Sequence, residues 1–210
     1  MLESHLAALQ ADSPEARRAI LALDDQADAM LGGVKLYLAR LNAGPLSEVE
    51  RRRSDEIMSY SINLEHVGDI LVRDLAGMAE KKTVRQIRFS EAGEGEIVEF
   101  YRKTIANLEL AQSVFLSRDV GLARRLAEVK IEVRRIEERS QRPHLERLQA
   151  GQPGILVSSS LHLDILRDLK RVNAHIASAA NPILWKTGEL GESRVTSVRE
   201  GRSDQIDAGR

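Results

Sequence analysis

The 210-residue chain has no cysteine. It can form no disulfide, no zinc–thiolate site and no cysteine nucleophile, which fits a reducing compartment. Aromatic residues make up 3% of it, too few for base-stacking platforms. Neither sign of charge dominates: 31 Lys and Arg stand against 32 Asp and Glu, for a formal net charge of −1. A broad electrostatic nucleic-acid binder would be basic, so no nucleic-acid partner is expected. No apolar run approaches the ~18–20 residues of a membrane span. The first residues carry too many charges for the apolar core of a signal peptide. The chain is expected to be soluble by itself, with any membrane role supplied by something outside it. What remains is 42% hydrophobic and 30% charged, long enough to bury a core.

The few prolines and glycines cluster, and they divide the chain into long helices. Ser13-Pro14 pairs a capping serine with a proline in the first turn and opens a helix to about Asn42. Asn42-Ala-Gly-Pro45 ends it. Ser47-x-x-Glu50 reads as a capping box for a second helix, to about Lys81. Thr83 to Phe89 is a connector. Ser90 caps a third helix, to Ser117, and Asp119 a fourth, to Leu148, which Pro143 should kink or interrupt. Ala150-Gly-Gln-Pro-Gly154 is a turn. Ser158 or Ser159 caps a fifth helix ending near Trp185. The fold class predicted is all-α: an antiparallel bundle of helices about 25–35 residues long, preceded by a stub at residues 2–10.

An internal repeat sharpens the organisation. Ala16-Arg-Arg18 recurs as Ala123-Arg-Arg125, and Leu64-Glu-His-Val67 recurs in style as Leu169-Lys-Arg-Val172, at a similar offset. The fourth and fifth helices thus read as a diverged copy of the first and second. The third then requires a counterpart before residue 13, where only the stub stands. The expected division is a truncated-helix stub at 1–12, a two-helix half at 13–82, a three-helix half at 83–186 and a disordered tail at 187–210.

The chemical signal lies on the second helix. With about 100° per residue, Ile57, Tyr60, Leu64, Val67, Leu71 and Leu75 form the core stripe. Glu65 and Asp69 fall together on one flank with Met58, Ile62 and Val72, while Asn63, His66, Arg73 and Asp74 lie toward the other half. Two anions side by side on an apolar face need a cation or strong donors, and a hard or borderline metal ion is one such compensator. Gly68 leaves room for a neighbouring helix, and Asp24 and Asp28 on the preceding helix could approach. The plainer reading is that such pairs are solvated or matched by arginine. On the fifth helix Asp164, Asp168 and His175 share a narrow sector; there the plainer reading has Asp168 paired with a neighbouring cation and His175 as an interface histidine. His162 reads as a hydrogen-bonded core residue and Trp185 as a packing anchor.

Enzyme signatures are missing from the sequence: it has no Gly-rich phosphate loop, no G-x-S-x-G and no H-E-x-x-H. None of its five histidines has a glutamate three residues before it, against a ferritin-like di-iron site.

The stretch Leu64-Glu-His-Val-Gly-Asp-Ile70 resembles the Glu-x-x-x-Asp signature of PhoU domains. Phe89-Ser-Glu-Ala-Gly93, His144-Leu-Glu-Arg-Leu148 and Ser158-Ser-Ser-Leu-His-Leu-Asp-Ile-Leu-Arg-Asp-Leu-Lys-Arg-Val-Asn-Ala-His-Ile176 are similar to the PhoU-like domain that follows the membrane part of bacterial sodium/phosphate cotransporter-family proteins. The resemblance implies tandem three-helix bundles, with the first helix of the first bundle truncated here. It implies a regulatory, non-catalytic role in phosphate homeostasis, at the cytoplasmic face of a membrane transporter, fused or separate. It implies iron or zinc held by Glu65 and Asp69; Asp24 and Asp28 are further metal candidates by their spacing on the preceding helix. In the second copy the motif positions are Lys170 and Ala174, which form no carboxylate pair. Asp164, Asp168 and His175 are then candidate partner or second-site contacts. The uncovered apolar face of the first bundle should seek a partner, so a homo-oligomer is expected.

Overall fold

The computed structural model describes residues 1–11, 13–149 and 153–189; for 14, 17, 141, 143–149 and 153–156 it describes the backbone alone. Helix α1 (Leu2–Ala11) is followed by α2 (Pro14–Asn42) and α3 (Glu48–Asp69). A π-helical segment (Ile70–Leu75) joins α3 to α4 (Ala76–Val84). Helices α5 (Glu91–Ser117), α6 (Val120–Gln149) and α7 (Pro153–Ala177) follow, then a 3-10 turn (Ser178–Ala180) and α8 (Asn181–Lys186). There is no strand among the described residues.

The helix starts follow from their caps. Ser13 Oγ accepts from Ala16 N at 3.2 Å, and Ser90 Oγ from Gly93 N at 3.2 Å. Asp119 Oδ1 accepts from Leu122 N at 2.8 Å. Ser47 and Glu50 complete both bonds of a capping box. Each bond satisfies an amide that the first turn would otherwise leave open.

Several expectations are corrected. Helix α7 starts at Pro153, ahead of Ser158 and Ser159, because proline's fixed φ suits the first turn. The proposed turn lies partly outside the described residues, at 150–152. Helix α6 continues through Pro143 without interruption. The last helix does not run unbroken to Trp185. Pro182 has no N–H for the Ser178 carbonyl, which accepts instead from Asn181 in the 3-10 turn. That turn puts Ile183 and Leu184 in the core and leaves Trp185 58% exposed, so Trp185 is no packing anchor. The tail proposal lies outside the described residues from 190 onward. Its first residues are tied down: Thr187 Oγ1 donates to Leu184 O, and Arg124 makes two 2.7 Å bonds to Glu189.

Helix α7 lies at the centre, packed against α5, α6 and α3, while α2 packs against α1 and α3 at the edge. Phe100, Tyr101, Leu126, Leu161, Ile165, Leu166, Leu169 and Val172 make the heart of the core. The α3 stripe holds from Val67 through Leu71 to Leu75, but Leu64 is 39% exposed. The π segment changes the turn angle after Asp69, so one straight 100° wheel cannot describe the whole run.

Candidate functional site

The α2 and α3 carboxylates come together in part. Gly68 has no side chain, and Asp24 Oδ1 lies 3.0 Å from where a Cβ would stand. Burial, then Asp28, Asp69 and Asp25, raises the Asp24 pKa above the usual aspartate value. Asp24 and Asp69 therefore face each other across the α2–α3 contact. Glu65 is turned to Lys35, 3.6 Å away, and Asp69 to Arg73 at 3.0 Å. Among the described residues no group of three or more carboxylate or imidazole side chains is placed to hold a metal ion. With side-chain cations holding Glu65 and Asp69, the residues as placed do not fit an iron or zinc cluster.

The α7 candidates separate. Asp164 faces outward to Arg167 at 3.0 Å. Asp168 is 2% exposed and accepts from Arg171 at 2.9 Å; Arg171 also reaches Asp74 in the π segment at 2.6 Å. His175 bonds through Nδ1 to Asn63 Oδ1 at 2.9 Å, so it is an interface residue between α7 and α3. The α3 face carrying Asn63 and His66 is therefore a packing surface. Lys170 pairs with Glu137 of α6. His162 is buried, 3.2 Å from Glu96.

Three polar constellations were not anticipated. Asn107 Nδ2 donates to Asn173 Oδ1 at 2.7 Å, and Asn173 Nδ2 donates to Thr104 Oγ1 and Leu169 O, both at 2.8 Å, in the α5–α7 core. Nearby, Tyr101 OH bonds to His5 Nδ1 at 2.7 Å. Burial, and next the Asp168 charge, pushes the Tyr101 phenol upward, while burial pulls His5 down to about 4. Third, Glu56 accepts from Arg118, Lys186 and Arg53, which join the start of α3 to the end of α5 and to α8. The asparagine was visible as a polar residue inside the Leu169–Val172–Ile176 stripe; the partners of Glu56 lie too far apart in sequence to be seen there.

These long helices, tied by polar groups in the core, make an all-helical bundle. The family model described as the PhoU domain matches residues 97–183. A crystal structure of PhoU from Pseudomonas aeruginosa superposes with a TM-score of 0.80 at 19% identity, over 90% of this chain and 89% of that one. The chain carries a PhoU-like domain. It is 37% identical over 171 residues to "Putative inorganic phosphate export protein YjbB" of Salmonella typhimurium, and 36% identical over 176 residues to the protein of that name in Escherichia coli K12. Those matches cover 81% and 84% of this chain but 32% of each relative, so the chain spans about a third of their length.

Proposed function

We propose that this chain is a non-catalytic regulatory domain of phosphate homeostasis that docks on a sodium-coupled phosphate transporter at the cytoplasmic face of the membrane. The relatives named for phosphate export support the phosphate connection. Glu56, Asn107, Asn173, His175 and Arg171 hold helix to helix, as a domain signalling through its packing requires. No helix among the described residues is long and apolar enough to cross a membrane.

The observation that carries this reading is an uncovered seam on α2. Leu23, Ala27, Met30, Val34, Tyr37 and Leu41 follow a 4-3-4-3-4 spacing, the pattern of a helix that packs against another helix. Yet Met30 is 73% exposed and Tyr37 65%. Asp24 and Lys35, on the adjacent face, meet α3 at Gly68 and Glu65, so the seam faces elsewhere. Helix α1 runs back along α2 only to the level of Asp24, since Met1 Cε also lies by Gly68. Beyond that level the seam takes a helix of the transporter. The test is co-purification of the full chain with the membrane portion of a phosphate exporter. Wild type should be retained, and Met30→Glu/Tyr37→Glu should be lost with its helicity intact. Equal retention would refute the docking, and a concentration-dependent dimer abolished by the same change would assign the seam to a second copy instead.

A further inference from the structure

His66 of α3 and His175 of α7 face each other with ring centroids 5.0 Å apart and planes tilted by 45°. The neighbours of His175 fix its tautomer. Asn63 Nδ2 donates to the Ser59 carbonyl at 2.8 Å, which leaves Asn63 Oδ1 for His175 Nδ1 at 2.9 Å. A carbonyl oxygen only accepts, so Nδ1 carries the proton and Nε2 keeps its lone pair. A metal-ligating histidine is prepared in this way, with one ring nitrogen donating to a fixed oxygen and the other free to ligate.

The spacing agrees with shared ligation. A zinc-class ion sits about 2.0–2.1 Å from an imidazole nitrogen, hence roughly 3.2 Å from the ring centroid. Two rings at right-angled or tetrahedral positions then have centroids about 4.5–5.2 Å apart, and the observed 5.0 Å lies inside that interval. We propose that His66 and His175 form a two-histidine site for a divalent transition metal of the zinc class, with water completing its coordination. The ion would clip α3 to α7. Two protein donors are consistent with the lack, among the described residues, of any convergence of three.

Arg171, one turn before His175, is engaged by Asp168 and Asp74, and Arg73 by Asp69, one turn after His66. Burial, then His66 and Arg171, lowers the His175 pKa.

The test is calorimetric titration of the chelator-treated full chain with Zn²⁺ near neutral pH. It compares wild type, His66→Ala, His175→Ala and Glu65→Ala/Asp69→Ala, with thermal melts of each. Wild type and the double carboxylate variant should bind one equivalent and melt higher with Zn²⁺. Both histidine variants should lose the binding heat and the shift. His66 is exposed, so His66→Ala reads the site without threatening the fold. No binding by wild type, undiminished binding by either histidine variant, or loss confined to the carboxylate variant would each overturn the proposal.

Discussion

Asp24 Oδ1 reaches to within 3.0 Å of the point where a Cβ on Gly68 would stand, so the glycine sets how closely this carboxylate approaches α3. Asp24 is the far end of a movable side chain, and it already sits against Asp28 and Asp69. Gly68→Ala should therefore turn Asp24 outward and gain helix propensity, raising stability by up to about 1 kcal/mol in urea denaturation. A loss of more than that would mean that the α2–α3 backbones themselves are held apart.

Asn173 is the polar hub of the α5–α7 core, taking Asn107 on its oxygen and giving to Thr104 and Leu169 through its nitrogen. Asn173→Ala opens a cavity and leaves the buried Asn107 amide without its acceptor. The expected cost is about 2–4 kcal/mol. Urea unfolding followed by circular dichroism measures it; a cost below 1 kcal/mol would mean water replaces the amide without penalty.

Much of the fold was legible because helix ends are written locally. Ser13, Ser47, Ser90 and Asp119 each cap the helix that they announce. What the sequence concealed depends on departures from a straight helix and on distant partners. The π segment at 70–75 carries no motif, yet Asp74 within it meets Arg171 of α7. The flanks of α3 were assigned by angle from one core stripe. The face with Asn63 and His66 turned out to meet α7, because α3 is packed on two sides. The i,i+4 spacing of Glu65 and Asp69 is legible in the sequence, but their matching by Lys35 and Arg73 depends on register and rotamer, which periodicity does not contain.

Glu56 is the clasp between α3, the end of α5 and α8. Hydrogen bonding from Arg118, outweighing the opposing cost of burial and helped by Lys186 and Arg53, holds its carboxyl at about 2 against an ordinary 4.5. A depressed carboxylate stabilises the fold above its unfolded pKa and loses that contribution as the pH falls through the folded one. Glu56→Gln should thus cost about 1–3 kcal/mol at neutral pH, toward the low end because the cations are partly exposed. Near pH 2 wild type and variant should converge. A gap that persists in acid would assign the effect to the shape of the side chain and not to its charge.

His5 gives the opposite kind of acid sensitivity, from a base buried in its neutral form. Its ring is 1% exposed, stacked 5.7 Å from Tyr101 and bonded to the phenol. Burial lowers its pKa from 6.5 to about 4, against a raising contribution from the Leu75 carbonyl, with the nearby α-amino charge lowering it further. Between those two values the unfolded chain binds a proton that the folded chain does not, so stability rises with pH across that window. The contribution is complete above pH 6.5 and gone below about 4, amounting to about 3 kcal/mol at most. Chemical denaturation of wild type between pH 7 and pH 4 should show that slope, and His5→Gln should flatten it while keeping an acceptor or donor for Tyr101. A variant with an unchanged slope would move the acid sensitivity to the carboxylates. A flattened one would show that the short helix α1 is held to the bundle by a histidine that must stay neutral.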